Sequence, residues 1–480
     1  MAGLGRCVGR FVDLLVALQI TPGERLALVG GGGKTGLAGR LLAEAQARGW
    51  TALFTTTTKI FPPDEAGPPL ILAGTGPLDL DELRRRLREE RALILARGWS
   101  PEWEETPAGR RQKLAGLEPA WVDGLACALE PDLLIVEADG SRHRPFKAPA
   151  PYEPVIPSGT TLVAVLVGLT VLGQPLAEPY VHRPERAAAL AGVPMGVPVD
   201  GAVLAAVLSH PEGGGKGIPP AARAVVVLTQ ANAGRRPAGR EVARRLLPGG
   251  SFERVLLVDL DEPERKPEVW CRDEYGGACC EGRPHVVAVI LAAGAARRMG
   301  QNKLLLPVAG KALLAHAVDA ALGSHAAAVW VVLGSDSAAV RAALGTRPVH
   351  FLDNPHWAEG QAASIRAALA ALADRAEGLL FLAGDMPLVS PTHLDRLMEH
   401  FRLGTAVVWS AWQARCGIPA LFGREAFSAL GRLVGETGGR ALRGRFPEAA
   451  VPVAAEAELL DVDTPEDLEQ ARRWLEGPEH

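Results

Sequence analysis

Val286-Val-Ala-Val-Ile-Leu-Ala-Ala-Gly-Ala-Ala-Arg-Arg-Met-Gly-Gln-Asn-Lys-Leu-Leu-Leu-Pro307 is the stretch that decides the fold and the chemistry of this chain. Its opening residues, Val286 to Ile290, form the continuous apolar run of a strand buried on both faces of a parallel sheet, and the run ends at Gly294. The small residues Ala292, Ala293, Ala295 and Ala296 let the backbone approach a ligand closely. Arg298 and Lys303 bring fixed positive charge into the same loop. A strand, a glycine turn and two cations are what a nucleoside triphosphate needs, so Leu291, Ala292, Ala293, Gly294 and Gly300 are expected to bind nucleotide through the backbone.

Downstream, Gly378-Leu-Leu-Phe-Leu-Ala-Gly-Asp-Met-Pro-Leu-Val389 is a second apolar strand, and it places Asp385 where open α/β sheets bind ligands. Asp385 is the foremost metal-ligand candidate. Magnesium takes one or two carboxylates together with substrate phosphates, and Leu459-Leu-Asp-Val-Asp-Thr-Pro-Glu-Asp-Leu468 offers Asp461 and Asp463 as a second contribution. The same segment also suits a helix start, because Pro465 fits the first turn and Glu466 and Asp467 favour the positive end of the helix dipole.

The run from Leu291 to Lys303 resembles the signature of the MobA-like nucleotidyltransferases, and its continuation Lys303-Leu-Leu-Leu-Pro307 resembles the molybdenum cofactor cytidylyltransferase (MocA-like) branch. Asn354-Pro-His-Trp-Ala-Glu-Gly-Gln-Ala-Ala-Ser364, Gly417-Ile-Pro-Ala-Leu-Phe422 and Gly435-Glu-Thr-Gly-Gly-Arg440 are similar to the same family, which marks Trp357, Gly360, Ser364 and Arg440 as acceptor-pocket residues. Taken alone, Trp357 reads as a packing residue. Where the family has Gly-His-Pro this chain has Gly417-Ile418-Pro419, a departure on the acceptor side. The resemblance implies a Rossmann-like domain that transfers CMP from CTP to molybdopterin and releases pyrophosphate, with Mg2+ as cofactor and a molybdenum hydroxylase apoenzyme as downstream partner. Arg298, Lys303 and Asp385 would be its catalytic residues. The runner-up readings are a GTP-using molybdopterin enzyme, a sugar or polyol phosphate nucleotidyltransferase, and a non-catalytic or ATPase-driven cofactor-insertion protein.

The first half carries its own nucleotide signal. Arg25-Leu-Ala-Leu-Val29 reads as a strand, Gly30-Gly-Gly-Gly-Lys-Thr35 as a glycine turn and residues 36–48 as a helix, the arrangement of a P-loop. Gly30 and Gly33 would cradle phosphate, Lys34 would reach its outer oxygens and Thr35 would offer a hydroxyl to magnesium. A full Walker pattern would place Gly at Leu28, so the loop is a shortened variant or a structural turn. Pro131-Asp-Leu-Leu-Ile-Val-Glu-Ala-Asp-Gly140 is a further strand whose end sets Glu137 and Asp139 as metal-side acids. Thr55-Thr-Thr-Thr-Lys-Ile60, Val136-Glu-Ala-Asp-Gly-Ser141 and Phe146-Lys-Ala-Pro149 through Glu153-Pro-Val-Ile-Pro157 resemble the YqeC-type proteins, which implies an accessory domain for selenium-dependent molybdenum hydroxylases over about residues 10–260. Thr55 to Thr58 read equally as a ligand loop or a β-branched strand end. Gln230 and Asn232 stand where a base-reading Asn-Lys-x-Asp would carry Lys and Asp.

With 480 residues, 48% of them hydrophobic and 22% charged, the chain is long enough for two or three domains. A net charge of −4 argues against nucleic acid or a membrane surface as partner, and the longest apolar stretch, 161–173, is short for a membrane span. Without a secretory pattern, and with six cysteines that make no disulfide framework, a cytoplasmic location is expected. Residues 261–284 are charged and bear Pro and Gly, and so read as a linker between 1–260 and 285–480. Cys271, Cys279 and Cys280 within it lack zinc spacing and read as free thiols. Strands alternate with Ala/Leu/Arg-rich helices in both halves, so the fold class is α/β, with two three-layer α/β/α domains.

Overall fold

A computed structural model of the chain describes residues 13–476 other than 63–66, 75–77, 107–108, 263, 295–301 and 403–404. Arg298 and Gly300 lie outside the described residues. The chain divides between Cys271 and Arg272 into two compact units.

The first unit is built on strands β1 (Glu24–Gly30), β2 (Ala52–Thr56), β3 (Leu70–Leu72), β4 (Ala92–Ala96), β5 (Leu133–Glu137), β6 (Leu162–Gly168), β7 (Arg223–Thr229), β8 (Arg254–Leu257) and β9 (Glu268–Arg272). Their order across the sheet is β9-β8-β7-β6-β1-β5-β2-β4-β3, and every pairing is parallel except β8 with β9. All residues of β5 and β6 are buried, as a parallel sheet covered on both faces requires. Alternate residues face opposite cores. Phe54, Ile94 and Ile135 pack with Leu37, Leu41 and Leu42 of helix α1 (Lys34–Ala47), whereas Leu53, Leu93 and Leu134 pack with Leu83, Leu87, Val122 and Leu125. Three layers result.

The stretch 261–284 is not the featureless linker that its composition suggested. β9 lies inside it, pairs with β8 and buries Trp270 completely. Arg244 lies over the Trp270 ring at 4.7 Å, and Arg236 and Arg240 reach the Glu268 carboxylate at 2.7 and 2.9 Å. Charge in this segment is therefore paired along a strand, and the pattern Glu268-Val-Trp-Cys-Arg272 is too short to show periodicity against its neighbours. A further strand, Ala278–Cys280, follows in the second unit.

The second unit contains β10 (Val286–Ala292), β11 (Ala328–Leu333), β12 (His350–Asp353), β13 (Gly378–Ala383), β14 (Val407–Trp412), β15 (Arg415–Gly423) and β16 (Glu448–Pro452), in the order β12-β11-β10-β13-β15-β14-β16. β10 pairs in parallel with β11 on one side and β13 on the other. Val286, Ala288 and Ile290 face a core formed with Leu314, Val318, Leu394 and Leu397, while Val287 and Val289 face one formed with Ile365, Leu369, Phe427 and Leu430. Helices thus cover both faces, again giving three layers. Successive strands leave β10 in opposite directions, which opens a crevice at its carboxyl end. Among the described residues, no helix is long and apolar enough to cross a membrane.

In α1 the carboxyl of Glu44 is 6% exposed, and burial pushes it up to about 7 even though the Leu15 N–H donates to it at 3.1 Å. With a folded pKa above the unfolded one, its contribution to stability is complete below about pH 4.5 and is lost as pH rises to about 7. Buried His182, held down to about 4 by burial and by Arg183, acts in the opposite sense in an overlapping window, so the informative quantity is a difference. The stability of Glu44→Gln relative to wild type should rise between pH 4.5 and 7 by on the order of 2 kcal/mol in chemical unfolding. A pH-independent difference would refute this.

Candidate active site

The carboxyl ends of β10 and β13 lie side by side. Leu291 is in register with Ala383, and the Gly384 N–H donates to the Leu291 carbonyl at 3.1 Å, which brings Ala293-Gly294 next to Asp385. Lys303, in a short 3-10 turn capped by Asn302, places its Nζ 2.7 Å from Asp385 Oδ2 and 2.7 Å from Asp463 Oδ1. Partial burial opposes the charge of this ammonium, but Asp385 and Asp463 more than offset it and hold the Lys303 pKa above its usual value. The acidic segment is fastened there by its backbone, since the Val462 N–H donates to the Asp385 carbonyl at 3.0 Å. Partial burial and the like charges of Asp385 and Asp463 push the exposed Asp461 carboxyl up to about 6.

Helix start and charge site are divided between neighbours. Asp467 Oδ2 accepts from the N–H groups of Asp463 and Thr464 and from the Thr464 hydroxyl, so capping rests on Thr464 and Asp467. The Asp463 carboxylate is thereby left to Lys303.

Leu291, Ala293, Gly294, Lys303, Trp357, Gly360, Ser364 and Asp385 line one cleft of about 400 Å3, together with Asn302, Gln361 and Glu436, which the sequence reading did not single out. Ser364 is held by the buried Asn354, whose amide donates to its hydroxyl at 3.1 Å. Trp357 serves both readings, lining the cleft and packing on the core. Ala292 faces the core, and Arg440, which is not among the residues lining the cleft, lies beside Gly417 and close enough to Asp461 to oppose the rise in its pKa. Gly360 has φ +104°, and a Cβ there would lie 2.6 Å from the carbonyl of Gly435, so only glycine lets the two turns meet.

In the first unit, the Gly30–Thr35 loop follows β1 and opens α1. Gly32 has φ +82°, and a Cβ would come within 2.3 Å of the Gly168 nitrogen, so the loop lies directly on its neighbour. Lys34 is buried and folds back over the loop, donating to the Gly30 carbonyl at 2.6 Å and lying 2.9 Å from Asp139 Oδ1. Its burial works against the charge, and Asp139 and Glu137 restore it. Asp139 also accepts the Gly30 N–H at 2.9 Å and pairs with Lys147 at 3.0 Å. Lys147 continues to Glu153, and Glu153 to Arg183, a network that runs from a buried lysine to a half-buried arginine. Thr35 donates to Glu137 Oε2 at 3.2 Å, and both line a cavity with Gly33 and Lys34. The hydroxyls of Thr55, Thr56 and Thr57 are spent on the carbonyls of Leu95, Glu137 and Val155, so this run is a strand end. Gln230 lines the cavity, and Asn232 instead accepts the Arg235 N–H.

Residues 288–450 match the family model described as MobA-like NTP transferase domain, and residues 26–185 match the one described as YqeC protein. Purine catabolism protein PucB of Bacillus subtilis (strain 168) is 32% identical over 209 residues, which is 40% of this chain and 98% of that protein. The chain belongs to the MobA-like NTP transferases and carries a YqeC domain ahead of the transferase. The YqeC portion is similar to the Escherichia coli (strain K12) protein named uncharacterized protein YqeC, at 28% identity over 237 residues, 49% of this chain and 88% of that protein. Among solved structures, Rv0371c from Mycobacterium tuberculosis H37Rv is 32% identical, covering 41% of this chain and 99% of that one with a TM-score of 0.36. By the family match over residues 288–450, the second unit contains a nucleotidyltransferase domain.

Gly360→Ala should separate the Gly360 and Gly435 turns and displace Gln361 and Glu436 on the cleft wall. Transfer is expected to fall on the order of a hundredfold, the effect of displacing positioning groups by about 1 Å. Turnover at the wild-type rate in a folded Gly360→Ala protein would show that the close approach is not needed.

Proposed function

We propose that the second unit transfers CMP from CTP to the terminal phosphate of molybdopterin, forming the cytosine dinucleotide and releasing pyrophosphate. A phosphate oxygen of the acceptor attacks the α-phosphorus, the bond from the α-phosphorus to the bridging oxygen breaks, and the electron pair leaves with pyrophosphate. No side-chain nucleophile takes part, so the protein contributes position and charge.

The observation that carries this reading is the Lys303 ammonium, 2.7 Å from Asp385 and Asp463 at the mouth of a cleft formed by the Gly294 turn. Lys303, with Arg298 from the same loop, would neutralise the triphosphate. Asp385 Oδ1 is buried and has no hydrogen-bond partner among the described residues, which leaves a hard oxygen donor suited to a hard cation. Among the described residues, no group of three or more His, Cys, Asp or Glu is arranged to hold a metal by itself. The residues would therefore hold Mg2+ only with phosphate oxygens completing the shell, Asp385 contributing with Asp463 or Asp461. The ion would supply charge stabilisation at the transferring phosphoryl group. Lys303-Leu-Leu-Leu-Pro307 supports CTP over GTP through its resemblance to the cytidylyltransferases. The YqeC domain supports a molybdenum hydroxylase apoenzyme as the recipient of the product.

Incubating the full chain with Mg2+, molybdopterin and each nucleoside triphosphate in turn should give pyrophosphate and a dinucleotide with CTP alone. A guanine dinucleotide would overturn the base assignment, and triphosphate hydrolysis without a dinucleotide would overturn transfer. Asp385→Asn keeps shape and removes charge, so transfer should fall at least on the order of a hundredfold with unfolding unchanged. Near-normal turnover would remove Asp385 from the site.

A further inference from the structure

The cavity at the glycine loop of the first unit is about 1180 Å3, larger than phosphate groups alone require. One wall is Gly32 to Gly36 with Lys34, Thr35 and Glu137, and the same cavity is lined by Phe61, Arg111, Lys113, Arg142 and His143. That second wall is unusual in its backbone. Arg142 and His143 are consecutive non-glycine residues in the left-handed region, at φ 50° and 59°. Such residues cost energy and persist only where their surroundings hold them. Here the Arg144 N–H donates to the Ser141 carbonyl at 3.0 Å, Arg144 pairs with Glu178 at 2.8 Å, and the His143 ring stacks on Phe61 at 5.4 Å.

The strained turn directs charge. Lys59 and Lys113 are paired with Glu102 and Glu104, and Arg111 donates to the Pro62 carbonyl at 3.2 Å while its guanidinium lies over Phe61 at 5.3 Å. Arg142 is exposed and makes no hydrogen bond or ion pair with any described residue, although it lines the same cavity as Lys34. An aromatic face flanked by guanidinium, and an unpaired cation lining the same cavity as a glycine loop, are complementary to a planar base joined to a polyphosphate.

We propose that the first unit binds a nucleoside triphosphate in this cavity, its phosphates held between the Gly32–Thr35 loop and Arg142 and its base against Phe61 and His143. This rests on reading Gly30–Thr35 as a phosphate loop and is independent of the transferase cleft. Phe61 offers only a ring face, so stacking rather than base-edge hydrogen bonding provides the contact there.

The test is calorimetric titration of the full chain with the β,γ-imido analogues of ATP and GTP in the presence of Mg2+. At least one analogue should bind to a site that Lys34→Ala abolishes, and Arg142→Ala and the apolar replacement Phe61→Leu should each weaken that site on the order of tenfold, the loss expected for one stacked or charged contact. Thermal unfolding at the wild-type temperature establishes that each variant is folded. If Lys34→Ala abolishes binding while folded Arg142→Ala and Phe61→Leu bind as wild type does, the loop binds phosphate but the inference about the second wall is wrong. If no analogue binds, or Lys34→Ala has no effect, the phosphate-loop reading fails as well.

Discussion

The Lys303 ammonium, held between Asp385 and Asp463, is the contact around which the transferase cleft is arranged. Two carboxylates brought together at a strand end repel each other, and Asp461 beside them has its pKa raised by partial burial and then by their charges. A cation must stand among them for the cleft to keep its shape. Lys303 meets that need from the loop after the Gly294 turn, so the cation that neutralises the acids belongs to the element proposed to receive a triphosphate. On the proposed function, nucleotide and Mg2+ would compete for partners that are already paired to one another.

The first unit solves the same problem with different parts. Lys34 follows a glycine turn at the end of β1, and Asp139, two residues past the end of the adjacent parallel β5, holds its ammonium at 2.9 Å. In both units a lysine near a glycine loop meets an acid two residues beyond a neighbouring parallel strand. The shared cause is geometric. Parallel strands end on the same edge, so a loop leaving one strand and an acid leaving the next emerge together. The first unit goes further in burying its pair and extending it through Lys147 and Glu153 to Arg183. Glu153 is correspondingly held down to about 2, its partial burial outweighed by Arg183 and Lys147.

Local pattern carried much of the architecture. β10 and β13 follow directly from their apolar runs. Where local pattern failed, partners distant in the chain made the difference. β9 is stabilised by Arg236, Arg240 and Arg244, some thirty residues away, so its own composition concealed it. Sequence left the threonines at 55–58 open between a ligand loop and a strand end, because nothing local shows that carbonyls of Leu95, Glu137 and Val155 claim the hydroxyls of Thr55, Thr56 and Thr57.

Sequence alone determined two α/β units, a glycine turn at the end of a buried strand in each with Lys34 or Lys303 following it, and Asp139 and Asp385 just past the ends of two further strands. These are consequences of periodicity and of residue chemistry within about a dozen positions, where chain connectivity restricts the outcomes. Tertiary structure decided which acids those lysines meet, that Asp463 turns toward Lys303 while Thr464 and Asp467 start the helix, and that Arg142 lines the same cavity as the glycine loop with no partner among the described residues. Each of those outcomes depends on the register of strands and the approach of loops separated by tens to hundreds of residues. Burial and charge pairing over such separations are set only when the sheet closes and its edges come into line.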